Sequence, residues 1–163
     1  MKKFKFNIDE ILQPQDWGFP VPIAYGPGRV REISSFCKNL NIYNPLIVTD
    51  SGSKELSFID NLIKILTDSN IKSGLFYGIS PNPRSDEIAN GCSKFKSGNH
   101  DAIIAIGGGS AMDGGKSICL TANNSYPLFD FEWEKPAPKI RKENQFPKLI
   151  TIPTTAGTGA ETE

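Results

Sequence analysis

The sequence predicts an α/β domain built on a mostly parallel sheet flanked by helices. Three observations carry that prediction. Short apolar runs alternate with helical stripes along the chain, two of the runs are apolar almost without interruption, and each run ends on glycine, proline or a hydroxyl-bearing residue. A near-continuous apolar strand is what burial on both sheet faces requires, and parallel neighbours need a crossover helix between them.

The elements follow in order. After a polar lead-in, PIAY at 22–25 reads as a short strand closed by Gly26, Pro27 and Gly28. Val30, Ile33, Phe36, Cys37 and Leu40 then form one apolar stripe of a helix that ends near Asn39 to Asn41. PLIVTD at 45–50 is the first fully buried strand, and Leu56, Ile59, Leu62, Ile63 and Leu66 repeat the helical stripe. SGLFYGI at 73–79 is the next strand. It leads through Ser80–Arg84 into a helix carrying Ile88, Cys92 and Phe95, with Ser85 or Asp86 as its cap. DAIIAI at 101–106 is a strand, GGGS at 107–110 a tight turn, and 111–122 a helix. Residues 123–147, rich in Pro, Lys and Glu around Phe129, Phe131 and Trp133, read as a surface excursion, and KLITI at 148–152 is the last strand.

Composition limits the function classes. The chain has 163 residues, with 18 Lys+Arg against 18 Asp+Glu, a balance that argues against nucleic-acid and membrane-surface partners. Hydrophobic residues make up 38% and charged residues 22%, enough apolar material for one globular core. This length suits one domain over residues 1–163. No apolar run approaches the ~20 residues needed to span a bilayer. The N-terminal stretch is interrupted by Asn7, Asp9 and Glu10, a poor secretory signal, so the expected location is cytoplasmic. Cys37, Cys92 and Cys119 are odd in number and widely spaced, which makes them small buried hydrophobes on helix faces rather than a disulfide framework.

In an open parallel sheet, ligands bind at the carboxyl ends of the strands. Four segments lie there: Asp50–Gly52, Ser80–Pro83, Gly107–Ser110 and the run PTTAGTG at 153–159. Gly107, Gly108, Gly109 and Ser110 join a buried strand to a helix. Such a turn either serves only to reverse the chain tightly or lets backbone N–H groups and the helix dipole receive a phosphate or pyrophosphate. The spacing is neither that of a P-loop nor that of the usual dinucleotide fingerprint, since the candidate acid, Asp50, precedes the glycines. Asp50 suits two roles: a turn or helix-capping carboxylate, or an acceptor for ribose hydroxyls whose charge repels a 2′-phosphate and favours NAD over NADP. Asp113 likewise suits either support of the glycine turn or contact with the cofactor side. Thr154, Thr155 and Thr158 make a second, hydroxyl-rich loop.

Taken together, IAIGGGSAMDGGK at 104–116 and TIPTTAGTGAETE at 151–163 resemble the two N-terminal signatures of the iron-containing (group III) alcohol dehydrogenase family, usually GGGSxxDxAK and PTTAGTGSE. YGPG at 25–28, PLIVTD at 45–50 and PNP at 81–83 fit that family's order and spacing, so the resemblance covers roughly Pro22 to Glu163. It implies a Rossmann-like dinucleotide-binding domain joined to an all-helical domain, with NAD(P) and an iron or zinc ion in the cleft between them. Carried over by position, it implies Asp50 at the adenosine ribose and Asn82 at the adenine side. It further implies Gly108, Gly109, Ser110 and Asp113 at the pyrophosphate, and Thr154, Thr155 and Thr158 at the phosphate and nicotinamide side. The implied reaction is hydride transfer between the nicotinamide and a small alcohol or aldehyde, with a metal polarising the oxygen. A homodimer is the first expectation for assembly.

Three departures from the family pattern stand out. Gly115 takes the place of the usual Ala and is expected to weaken its helix by up to ~1 kcal/mol. Ala160 replaces the usual Ser before Glu161, which removes a hydroxyl near the cofactor loop. The metal ligands implied by the resemblance, one Asp and three His, would follow Glu163, and the sole histidine, His100, reads as structural or surface. The expectation is therefore a truncated cofactor-binding half, inactive alone, with no catalytic or metal-ligating residue of its own. Two alternatives accompany it: a relative on the same scaffold, such as glycerol dehydrogenase or dehydroquinate synthase, and a non-catalytic dinucleotide-binding fragment.

Overall fold

The computed structural model describes residues 12–18, 21–136, 138–139 and 146–160. The expectations about the N-terminal segment 1–11 and about Glu161 lie outside them. Four strands, β3 (Pro45–Asp50), β4 (Gly74–Ile79), β5 (Ala102–Gly107) and β6 (Lys148–Pro153), form one parallel sheet in the order β4-β3-β5-β6. Helices α1 (Ile33–Asn39), α2 (Ser57–Asp68), α3 (Ser85–Ser97) and α4 (Gly109–Ala122) connect and cover it.

The period of two along a strand sends neighbours to opposite faces, and both faces are buried here. Ile47, Ile104 and Ile106 pack with Ile33, Cys37, Ile59, Leu62 and Leu66 of α1 and α2. Leu46, Val48 and Ile103 pack with Ile88, Phe95, Ile118 and Cys119 of α3 and α4. Each fully buried Leu or Ile contributes about 1.5–3 kcal/mol relative to exposure, so the two apolar strands, β3 and β5, anchor the domain.

Three helices end in the same way. Asn41, Asn70 and Asn99 have φ of 51°, 58° and 48°, in the left-handed region that Asn tolerates better than most residues. Behind each, the next N–H bonds back to the last turn: Ile42 to the Cys37 carbonyl, Ile71 to Leu66 and His100 to Phe95. These are Schellman closures, and the buried Ile42 and Ile71 seal two of them against the core. The His100 ring is fixed nearby, its Nδ1–H donating to the Asn44 carbonyl at 2.9 Å. Asp101 accepts the N–H groups of Tyr43 and Asn44 at 2.6 and 3.0 Å. His100 thus belongs to the framework at the amino ends of the strands.

Several expectations need correction. The strand at Ile23–Tyr25 (β2) does not join the parallel sheet. It pairs antiparallel with β1 (Gln15–Trp17), inside what reads from sequence as a polar lead-in, and Arg29 ties this ribbon down through Asp16 at 2.7 Å and Glu32 at 2.8 Å. Val30 and Leu56, assigned to helical stripes, are exposed, because Val30 lies in a 3-10 turn, Arg29–Glu32, and Leu56 is the N-cap of α2. Neither Ser85 nor Asp86 caps α3. Arg84 holds the N-cap position, and Glu87 reaches back to accept the N–H groups of Arg84 at 3.1 Å and Ser80 at 3.3 Å, bonds that hold its carboxyl below the usual carboxylate range. Cys37 and Cys119 are buried, and burial pushes both thiols up to about 11, whereas Cys92 is only half-buried. The excursion carries one 3-10 turn, Leu128–Phe131, and leaves Trp133 99% exposed.

Gly115 reverses its expected meaning. Helix α4 lies so close to β5 that a Cβ at Gly115 would meet the Ala105 Cβ at 2.4 Å. Gly115→Ala is expected to lower stability by about 1–2 kcal/mol, since overpacking of ~1–3 kcal/mol exceeds the helix-propensity gain of up to ~1 kcal/mol. Urea unfolding reads the sign; a raised midpoint refutes the steric reading.

Candidate functional site

The strand order creates the site. From β3 the chain moves outward to β4, then returns to the other side of β3 for β5, so the topology switches direction between β3 and β5. Their pairing stops at Val48 and Ala105, while β4 and β6 continue to pair beyond that level. A crevice opens at the carboxyl ends, with the end of β3 on one wall and the glycine turn after β5 on the other. It encloses about 290 Å³ between Asp50, Ser51, Gly52, Pro81, Gly108, Gly109 and Ser110.

On the first wall the Asp50 carboxylate organises its own loop. Oδ1 accepts the N–H groups of Gly52 and Ser53 at 3.0 and 2.9 Å, and Oδ2 accepts the Ser53 hydroxyl at 2.8 Å. The two roles read from sequence therefore coexist: Asp50 closes the turn and still lines the crevice, with one lone pair on Oδ2 unspent.

On the second wall Gly107 has φ of 144°, a backbone that side-chain-bearing residues rarely adopt. A Cβ there would stand 2.7 Å from the Ala111 Cβ, so the turn is tight as well as left-handed. Gly108 is the N-cap of α4, and no side chain caps the first turn. The leading N–H groups and the positive end of the helix dipole thus suit an anion. With no Cβ at Gly108 or Gly109, a ligand approaches the backbone closely.

The loop after β6 buttresses the turn. Thr154 N–H donates to the Gly107 carbonyl at 2.8 Å, and Thr155 and Thr158 lie against Gly108 and Gly109, their side chains within 3.5 and 3.3 Å of where a Cβ would stand. The Thr158 hydroxyl accepts the Ala160 N–H at 3.3 Å, and Lys116 Nζ donates to the Ala160 carbonyl. Lys116 was not among the expected site residues, although it is the last letter of the glycine signature. The Ala160 side chain is buried with Ala105 and Met112.

Asp50, Gly108, Gly109 and Ser110 are therefore brought together, with Thr154, Thr155 and Thr158 packed behind the glycines. Asn82 stands exposed beside Pro81 on the β4–α3 loop, at φ 57°, and does not line the crevice. Asp113 is exposed on α4, about one turn past Ser110, and also lies outside the lining. Ser53 and Glu87, which shape the two loops flanking the crevice, had no sequence signal beyond their polarity. A larger groove of about 440 Å³ between α3 and the Leu128–Phe131 turn is lined by Ile88, Cys92, Thr121, Leu128 and Phe129 and gathers none of these groups. Among the described residues no cluster of three or more His, Cys, Asp or Glu is placed to hold a metal ion, and no helix is long and apolar enough to cross a membrane.

Comparison with known proteins gives a consistent picture. A family model described as iron-containing alcohol dehydrogenase matches residues 20–163. Choline dehydrogenase of Bacillus subtilis (strain 168) is 34% identical over 158 residues, covering 95% of this chain and 38% of that protein. The crystal structure of a 1,3-propanediol oxidoreductase superposes with a TM-score of 0.75 at 29% identity, over 83% of this chain and 34% of that one. Sulfoacetaldehyde reductase from Bifidobacterium kashiwanohense, solved in complex with NAD+, superposes with a TM-score of 0.71 at 27% identity, over 83% of this chain and 35% of that one. The chain spans little more than a third of the length of each of these proteins.

Proposed function

The chain belongs to the iron-containing alcohol dehydrogenase family, and from that premise we propose that it is the NAD-binding part of an alcohol dehydrogenase acting on a small alcohol or aldehyde. One observation carries the reading: the switch-point crevice sets a carboxylate, Asp50, opposite an uncapped, side-chain-free helix start at Gly108–Ser110. A dinucleotide needs that pair, an acceptor for ribose hydroxyls and a donor-rich cradle for diphosphate.

The residues present fit the dinucleotide. Asp50 Oδ2 accepts a ribose hydroxyl while Oδ1 keeps the loop closed, and its charge disfavours a 2′-phosphate. The N–H groups at the start of α4 take the diphosphate, and Ser110 adds a hydroxyl. Thr154, Thr155 and Thr158 hold the glycine turn and offer hydroxyls on the nicotinamide side, with Asn82 at the adenine edge and Asp113 beside the diphosphate. When bound, NAD supplies the hydride acceptor or donor of the reaction. The described residues do not fit a metal site, so the metal implied by the family is assigned to the part of its members that this chain does not match.

Calorimetric titration with NAD+ tests the reading; saturable binding supports it and its absence refutes it. Asp50→Asn keeps an oxygen for the Gly52 and Ser53 N–H groups and removes the charge. It is expected to shift the NAD+/NADP+ affinity ratio toward NADP+ by about tenfold, the size of one unfavourable charge contact of about 1–1.5 kcal/mol. An unchanged ratio removes Asp50 from cofactor selection.

A further inference from the structure

One side chain beside the crevice reaches further than helix capping requires. Glu87, in the first turn of α3, accepts the Arg84 N–H at 3.1 Å, the usual back-bond of a helix start. The same oxygen, Oε2, also accepts the N–H of Ser80, seven residues earlier, at 3.3 Å. Only 12% of the side chain is exposed, and Oε1 stands 3.8 Å from the Arg84 guanidinium. Both ends of the turn Ser80–Arg84 are thus held by a single oxygen atom.

The turn needs that support. Pro81 and Pro83 have no N–H to give, and Asn82 between them sits at φ 57°, in the left-handed region. Among the described residues no backbone-to-backbone hydrogen bond closes this turn. Its placement matters to the crevice, because Pro81 lines the crevice together with Asp50. Just before the turn, the Ile79 carbonyl accepts the Ser51 N–H at 3.1 Å, which joins it to the Asp50 loop. We propose that Glu87 is a positioning residue of the cofactor site: by holding both ends of the turn it sets Pro81 on the crevice wall before the adenosine end of the dinucleotide arrives. This rests on the dinucleotide reading given above. Without that reach the ligand must order the turn as it binds, and the apparent affinity falls with the fraction of molecules in which the turn is closed.

The test compares two variants of the 163-residue chain. Glu87→Asp keeps the charge and shortens the arm by one methylene, whereas Glu87→Gln removes the charge and keeps both the reach and an acceptor oxygen. An aspartate in the first turn still suits the helix dipole, so E87D is expected to fold, and circular dichroism checks both variants. Calorimetric titration with NAD+ and with ADP, the part of NAD+ that the crevice receives, is the readout. E87D is expected to bind both ligands about fivefold more weakly, the worth of one net hydrogen bond. E87Q is expected to stay within about twofold of wild type. A role resting on charge alone predicts the opposite order, and that result overturns the inference. Wild-type affinity in E87D overturns it too, as does an E87Q protein as weak as E87D or a loss confined to NAD+. An E87D chain that does not fold assigns the carboxylate to the fold and overturns it as well. A wild-type chain that binds neither ligand overturns the dinucleotide reading and this inference with it.

Discussion

Gly108→Val is expected to fold as the wild type does and to lose NAD+ affinity by tenfold or more. The fold tolerates the change because Gly108 has φ of −79° and ψ of −174°, ordinary extended backbone, and its Cβ would meet Thr155 no closer than 3.5 Å. Binding is expected not to tolerate it, because Gly108 lines the crevice at the N-cap of α4, and bulk added there hinders close approach of a diphosphate to the first N–H groups of the helix. Losing direct donors and close approach costs about 1.5–3 kcal/mol, or roughly 10- to 100-fold in affinity. Circular dichroism checks the fold and titration calorimetry the affinity. Normal affinity in a folded variant would remove the glycine turn from the site.

Gly107→Ala is expected to do the reverse and damage the fold itself. At φ of 144° a side-chain-bearing residue is strained by about 1–3 kcal/mol. Its Cβ would also stand 2.7 Å from the Ala111 Cβ, on a rigid first turn of α4 with no flexible end to move aside. Overpacking of that kind adds about 1–3 kcal/mol. The sum, about 2–6 kcal/mol, is a large share of the roughly 5–15 kcal/mol that stabilises a typical domain. A urea unfolding midpoint equal to that of the wild type would show that the turn relaxes without strain. Two adjacent glycines thus carry different duties, one for the chain and one for the ligand, and the two variants separate them.

Much of this was legible in the linear sequence. The apolar runs at 45–50 and 102–106 announced buried parallel strands because burial on both faces leaves no room for alternation. The helices between them were legible from their stripes, and the end of the first from Asn39–Asn41, whereas the closures at Asn70 and Asn99 emerged only from the structure. Misplaced positions were local in kind. Val30 and Leu56 match the helical period but sit in turns at helix starts, where the period does not yet apply. The strand at 23–25 was read, but its partner β1 escaped because a three-residue strand carries too little pattern to register against a polar background.

Within the candidate site, the sequence by itself determined the chemistry: a carboxylate at one strand end, glycines at another, hydroxyls at a third. Residue type and order are enough for that, since each loop follows its own strand. Tertiary structure alone decided which of these groups meet. The switch in strand order puts Asp50 and Gly108–Ser110 on facing walls and leaves Asn82 and Asp113 outside the lining. It also decided the sign of Gly115, a weak helix residue in isolation and a necessary gap where α4 presses on Ala105. Propensity is a property of neighbours along the chain, whereas approach distance and hydrogen-bond satisfaction depend on residues up to a hundred positions away, brought together only by the packed sheet.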